Sequence, residues 1–564
     1  MTQRKFVPEN FNPDEKKEVS ALYGQLLQRD IPVDAAKLRQ WILDWSELES
    51  VLGEVSCRRY VAMTCNTADE KAAKAYADFV ENIQPIMNEY DDKLNKKLVA
   101  HPSKAALQGE FGEWFKGVQV SLDLFSPDNI PLETEENKEI QAYQKITGGM
   151  SVEFDGEVKT MQQLGAYMEK TDRDLRERAW RTMWERRLKD KEALDNAFDN
   201  LFAIRKQIAK NAHCKDFIDY IFLAKHRFDY SPADCEAFHE SIEKFVLPLQ
   251  KEMYRRRAQK MGLDKLRPWD LSVDPMNRAP LKPYSTGDEL IEKVDQIFES
   301  IHPQAGKWAR EMQAKKLIDP DSRLGKAPGG YQIGFDESRL PFIFMNSAET
   351  DRDIYTLLHE SGHSFHQFAL ADQPIFPYRD VPAEFAEVAS MSMELIGTSN
   401  LMPFYGDDKE AIERSIVGEL EDVVWLFPWV ASIDSFQHRL YSFPEHTAED
   451  RSDIWDEIMD RYDAGVDYSG LEAVRRNLWQ KQLHLFECPF YYIEYGIAQI
   501  GALQVWANFK KDPKKAIDDL FRAESLGSSR PVKELFEAAN IKFDFTPKTL
   551  EPLMQVVWDE LGRN

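Results

Sequence analysis

Cysteine is scarce: Cys57, Cys65, Cys214, Cys235 and Cys488 are the only five in 564 residues, odd in number, scattered and never spaced as CxxC. This excludes a disulfide framework, and a chain of this size with unpaired thiols is expected in a reducing compartment. Long apolar runs are also missing. The most apolar stretch, VVWLFPWVA from Val423, is interrupted by Pro428 and falls far short of the ~20 residues that span a bilayer. The opening residues MTQRKFVPENFNPDEKKE are polar where a signal peptide needs an apolar stretch. A cytoplasmic protein is therefore expected. Positive charge is in deficit, 72 Lys and Arg against 97 Asp and Glu, for a net −25. Nucleic-acid backbones and anionic membranes would be repelled, so neither is an expected partner. There is no GxSxG and no GxxxxGK[ST], and the glycines of LGKAPGGYQIG do not form GxGxxG. Fixed-period repeats and low-complexity linkers are absent as well.

What remains is a globular composition, 43% hydrophobic and 30% charged, with the Glu, Lys, Ala and Leu of a helix-rich chain. From Asp14 to about His101 apolar residues recur every three or four positions, as in AAKLRQWILDWSELESVL, predicting successive helices. MSVEFDGEVKT interrupts them: two short alternating runs flank Asp155-Gly156, a two-residue hairpin turn, so a hairpin is predicted near 150 to 160. Helices resume over about Met161 to Ala212, again from Ser231-Pro232, a cap followed by proline at the first helical position, and through 287 to 316. A second strand-like region, Arg323 to Asn346, contains paired glycines, aromatics and the apolar run Pro341 to Met345. Beyond it the chain reads as helix to its last residues. Along the chain this divides into an N-terminal helical lobe, 1–150, and a remaining region, 151–564.

Directly after the second strand region comes DRDIYTLLHESGHSFHQFAL, which reads as one helix with acidic residues in its first turn. His359 and His363 are four residues apart, so their imidazoles point nearly the same way, one turn apart, and can converge on one ion. Zinc takes such nitrogens at ~2.0–2.1 Å. Glu360 lies one step round the helix, beside the ion, where a carboxylate can take a proton from metal-bound water. A shuffled chain of this composition would show His-acid-x-x-His only about 0.04 times. His366 shares the face, but an unbroken helix carries it ~10 Å along the axis from His359, too far to share an ion at ~2 Å. A place behind the ligands or on the substrate side is expected for it, with ordinary core or surface packing as the alternative.

A third ligand must come from elsewhere. VPAEFAEVASMSMELIG predicts a helix over 382–396, begun by Pro382 and ended by Gly397. Glu384, Glu387 and Glu394 fall on one side of it, among Val388, Met391 and Leu395, and carboxylates among apolar neighbours call for a partner. Periodicity leaves the choice among the three open.

HESGHSFHQF followed by FAEVASMSMEL resembles the thimet oligopeptidase and oligoendopeptidase F family of zinc peptidases, in particular the oligoendopeptidase F branch. The resemblance implies that Glu387, in the family pattern F-x-E-V-x-S, is the third zinc ligand and that Glu394 orients a ligand histidine. APGGYQIGFDESRLPFIFMN looks like the family's strands along the substrate cleft, which implies peptide-binding roles for Gly329, Gly330, Tyr331, Phe342 and Phe344 by strand addition. HLFECPFYYIEYG resembles its histidine and tyrosine segment, so Tyr495, Tyr492 and His484 are implied to face the substrate carbonyl, with Tyr491 beside them. Around Cys488 the chain departs from the glycine-rich loop of the thimet branch.

The expectation is thus a mainly α, multi-helix, zincin-like metallopeptidase with a small β-sheet near the active site and a deep cleft between helical lobes. One zinc ion on His359, His363 and Glu387 would serve a metalloendopeptidase cleaving short unstructured peptides, with Glu360 as general base on zinc-bound water. The rival readings are release of dipeptides from a chain end and a catalytically silent peptide-binding protein.

Overall fold

The computed structural model describes residues 4–563, in which twenty-five α-helices and five short strands are found. The chain packs as two compact units, each assembled from three stretches.

The first unit comprises Met1–Leu122, Lys282–Ile416 and Ala498–Phe543. Its N-terminal stretch is helical where the apolar spacing predicts. In the long helix Ala35–Cys65, Leu38, Trp41, Trp45 and Leu48 line one buried side, and their core extends to Phe111, Ile375 and Tyr378. Nearly all of that core comes from residues 7–115, closed by Ile375 and Tyr378, while the residues from Asp123 to 150 fall in the second unit.

The second unit comprises Asp123–Leu281, Val417–Ile497 and Asp544–Asn564. It contains the predicted hairpin, β1 (Ser151–Phe154) and β2 (Glu157–Thr160), paired antiparallel with Phe154 opposite Glu157. Asp155 and Gly156 both take positive φ, 53° and 80°, as the tight turn requires. The helix Pro232–Ser241 begins at the predicted proline, capped by Ser231 and Asp234.

The other sheet belongs to the first unit and has three strands. β3 (Ile318–Asp321), β4 (Tyr331–Phe335) and β5 (Leu340–Ser347) run in the order β3-β5-β4, parallel between β3 and β5 and antiparallel between β4 and β5. β3 reads Ile-Asp-Pro-Asp, a composition that argues against a strand; it pairs because β5 offers it a buried edge. β4 is the outer strand, with Tyr331 opposite Phe344 and Gly334 opposite Pro341. Among the described residues no helix is long and apolar enough to cross a membrane, and all five cysteines are free.

Candidate metal centre

The HExxH motif sits in the middle of the helix Asp351–Ala369. Thr350 and Asp353 form a capping box at its start, and Asp353 Oδ2 also accepts the Tyr284 hydroxyl at 2.5 Å and the Ala348 N–H at 3.0 Å. The helix entry is thereby tied to the end of β5. The following helix, Ala383–Gly397, starts right after Pro382 and lies very close to the first. A Cβ on Gly362 would stand 2.6 Å from both the Ala389 carbonyl oxygen and Ser390 Cα, and one on Gly397 would stand 2.4 Å from Leu358. Glycine at these two positions is what lets the helix backbones approach. Gly362, inside the motif itself, was open to sequence reasoning and was missed.

The close approach brings three donors together. His359 Nε2 lies 3.4 Å and His363 Nε2 3.6 Å from the same oxygen, Glu387 Oε2. All three donors fall within 4.8 Å of one another. Bonds of ~2.0–2.1 Å in tetrahedral geometry place ligand atoms about 3.3 Å apart, so the set fits an ion of zinc's size with little movement. Glu387 Oε2 also accepts the Ser390 hydroxyl at 2.9 Å, which fixes the carboxylate's rotamer. Glu394 Oε1 lies 2.5 Å from His359 Nδ1; a carboxylate can only accept there, so Nδ1 carries a proton and Nε2 is the nitrogen whose lone pair an ion would take. Glu384 is buried on the same helix but does not belong to the converging set.

Glu360 is buried beside the triad, 8% exposed. Burial pushes its carboxyl up to about 7; His359 opposes the shift and Glu387 adds to it. The backbone N–H of Gln332, on β4, is directed at it. The sheet edge and the acidic side chain therefore meet at one place.

One expectation is corrected here, that for Phe344. His366 is buried, edge-on to Phe385 at 5.9 Å, with no hydrogen bond at Nε2. Burial holds it neutral, down to about 3. Phe344 is fully buried, sealed by the stacked Tyr331 ring at 4.8 Å and by Lys326 at 4.6 Å, so it is core and out of a peptide's reach. Tyr331 is half-buried with its hydroxyl 2.6 Å from Thr64 Oγ1, while Phe342 stays partly exposed, 6.1 Å from Phe335. Gly329 (φ 97°) and Gly330 lead into β4, held by Asn346 Nδ2 on the Gly329 carbonyl at 2.8 Å.

The histidine and tyrosine segment belongs to the second unit. There His484 lies 4.9 Å from Tyr492, 5.8 Å from Tyr491 and 6.0 Å from Tyr495, ring to ring. Arg205, fully buried, ties the turn carrying His484 in place through the Leu485 and Phe486 carbonyls and Glu136. Two further residues shape it that the sequence did not suggest. Trp429 Nε1 donates to Gln482 Oε1 at 3.0 Å, and the Gln482 amide nitrogen lies 2.6 Å from His484 Nδ1. Because the indole fixes which end of the amide is oxygen, Gln482 donates to His484 Nδ1, and the ring proton is left on Nε2. Burial, then Lys225, lowers His484 to about 4, so the ring is neutral.

A helix carrying HExxH whose two histidines face a glutamate of the next helix defines the class: a zincin-like fold with a two-histidine, one-carboxylate candidate site. The chain belongs to Peptidase family M3, which matches residues 166–554, and the Peptidase M3 N-terminal domain matches 6–125. An oligoendopeptidase F homolog of Borreliella burgdorferi is 24% identical over 342 residues, covering 57% of this chain and 56% of that protein. One from Lactococcus lactis subsp. lactis is 33% identical over 176 residues, 31% of this chain and 28% of the relative. The alignments thus take in about half or less of these relatives' length. Among solved structures, PZ peptidase A with an inhibitor is 28% identical at a TM-score of 0.88, with 99% of both chains covered. Oligoendopeptidase-F from Enterococcus faecium shares the fold at 14% identity and a TM-score of 0.65, covering 97% of both chains.

Proposed function

We propose that the protein is a zinc-dependent metalloendopeptidase that hydrolyses internal bonds of short, unstructured peptides. The observation that carries this is the convergence of His359 Nε2 and His363 Nε2 on Glu387 Oε2, at 3.4 and 3.6 Å, with Glu360 buried alongside. Zinc, when bound, supplies the Lewis acid that polarises the scissile carbonyl and makes water acidic enough to attack.

The chain's own residues do the rest. Glu360 takes the proton of the attacking water on its carboxylate and returns it to the leaving amine, a role that suits a carboxyl raised toward neutrality. Glu394 holds the His359 tautomer, and Ser390 holds the Glu387 rotamer. The outer edge of β4 offers backbone groups to an extended peptide, with Gly329, Gly330, Tyr331 and Phe342 along it. The hydroxyl of Tyr495 or Tyr492, helped by the Nε2–H of His484, donates to the developing oxyanion, where preformed donors count most; Tyr491 flanks them. Relatives named oligoendopeptidase F homolog, matched over about half or less of their length, support this substrate class.

The test measures bound zinc and cleavage of an internally quenched peptide by the wild type and Glu360→Gln. Zinc kept and cleavage lost is the expected result. Undiminished cleavage by the variant would sink the scheme.

A further inference from the structure

Two pairs of side chains at helical spacing meet in the second unit, far along the chain from the HExxH motif and with no part in the reading above. Cys235 and His239 lie on the helix Pro232–Ser241, and Asp434 and His438 on the helix Lys409–Ser442. Members of each pair are four residues apart, so each helix turns two donors the same way.

Cys235 Sγ, an Asp434 carboxylate oxygen and a His438 ring nitrogen lie within 4.8 Å of one another. Little water reaches the cluster: Asp434 is 0%, Cys235 1% and His239 3% exposed, and the His438 side chain 11%. His239 Nε2 bonds Asp434 Oδ2 at 2.8 Å, and His438 Nε2 stands 3.4 Å from the same oxygen. Asp434 Oδ1, buried, has no hydrogen-bond partner, and His438 Nε2, buried too, has only the 3.4 Å approach to Asp434 Oδ2. Leaving a carboxylate oxygen unsatisfied in a buried interior is costly, and such an atom in a native fold calls for an explanation. Arg227, whose charge is felt at Cys235, is itself paired with Glu494 at 2.6 Å. The helix carrying Cys235 continues into a single π turn, Ile242–Val246, a widening that often accompanies functional sites.

We propose that Cys235, Asp434 and His438 bind a second divalent transition-metal ion, with His239 holding the Asp434 carboxylate from behind. One sulfur, one oxygen and one nitrogen donor suit zinc or cobalt; calcium and magnesium take oxygen-only shells. A thiolate and a carboxylate offset the two charges of the ion, and the bond lengths of ~2.3 Å to sulfur and ~2.0–2.1 Å to nitrogen and oxygen set donors about 3.3–3.6 Å apart. The present separations, all within 4.8 Å, exceed that range by little more than 1 Å at most. The ion would cross-link two helices of the second unit and hold a structural rather than a reacting position, since its donors are almost wholly buried, His438 alone keeping 11% of its side chain exposed.

The experiment uses the full-length chain produced with cobalt supplied in place of zinc. The HExxH site has no sulfur ligand, so a strong near-ultraviolet thiolate-to-cobalt charge-transfer band reports on the second site alone. Two cobalt ions per chain with that band are expected in the wild type. Cys235→Ser should abolish the band and bind one ion per chain while still cleaving peptide; Glu387→Ala should keep the band and lose the other ion. One ion per chain without the band in the wild type overturns the proposal, and so does a band that survives in Cys235→Ser. Should the serine variant fail to fold, the wild-type spectrum and the Glu387→Ala spectrum decide between these outcomes.

Discussion

Glu394 and His359 are held 2.5 Å apart, carboxylate oxygen to Nδ1, although they lie 35 residues apart on successive helices. The contact fixes a proton on Nδ1 of His359, and so leaves the nitrogen facing Glu387 as the one that would hold a metal ion. Glu394→Gln leaves the shape but weakens the acceptor and permits the amide to turn its NH₂ toward the ring. Metal affinity should fall about 10- to 100-fold, as for other outer partners of ligand histidines. Competition with a chromophoric chelator measures this directly, and an unchanged affinity would remove Glu394 from the site.

Gly362 makes the helix pair possible. A methyl group there would press on the Ala389 carbonyl and Ser390 Cα at 2.6 Å, and neither backbone atom can step aside unless the helices part. Gly362→Ala should cost about 1–3 kcal/mol as an overpacking change, read as a lower urea midpoint. It should also weaken metal retention, because Glu387 and Ser390 ride on the displaced helix. Gly418, inside Lys409–Ser442 with nothing within 4 Å of a built Cβ, is the contrasting case. There alanine should raise stability by about 0.5–1 kcal/mol.

Local chemistry carried most of what could be read before the structure. His359 and His363 declare themselves by a spacing that any helix converts into a shared direction, Pro382 and Gly397 bound the next helix, and Asp155-Gly156 can hardly be anything but a tight turn. What failed depended on neighbours remote in sequence. Glu384, Glu387 and Glu394 are equivalent by periodicity, and only the crossing at Gly362 and Gly397 decides which one faces Nε2 and which Nδ1. Phe342 and Phe344 alternate on one face of β5, but Tyr331 and Lys326 close over Phe344 alone. β3 owes its pairing to β5 rather than to its own Ile-Asp-Pro-Asp. Gln482 and Trp429 lie 53 residues apart and matter only through a hydrogen bond.

That hydrogen bond yields a prediction about His484. In the wild type the amide of Gln482 donates to Nδ1, so the ring proton sits on Nε2. A carboxylate at 482 can only accept, so Gln482→Glu should move the proton to Nδ1. Nitrogen chemical shifts of labelled histidine report the tautomer. If His484 donates to the oxyanion, kcat should fall by up to about 10²-fold with KM little changed. A tautomer switch with kcat intact would remove His484 from the chemistry while leaving the hydrogen-bond relay in place.

Asp295 gives a pH dependence whose sign can be worked out. It lies on the helix Gly287–Ile301, nearly buried, with Oδ2 unpartnered. Burial pushes its carboxyl up to about 7, and Glu299 and Glu292 push the same way while Arg310 opposes. The unfolded chain releases that proton near the usual Asp value of about 3.9. Between those two values the folded state binds more protons than the unfolded one, so this group's contribution to stability falls as pH rises through the window and is fully lost above it. Asp295→Asn removes the titration. In urea denaturation the variant should be more stable than the wild type at pH values above about 7, and the difference should shrink as pH is lowered toward about 4. A difference that stays constant across that range would mean that Asp295 is ionised in the fold and held by a partner.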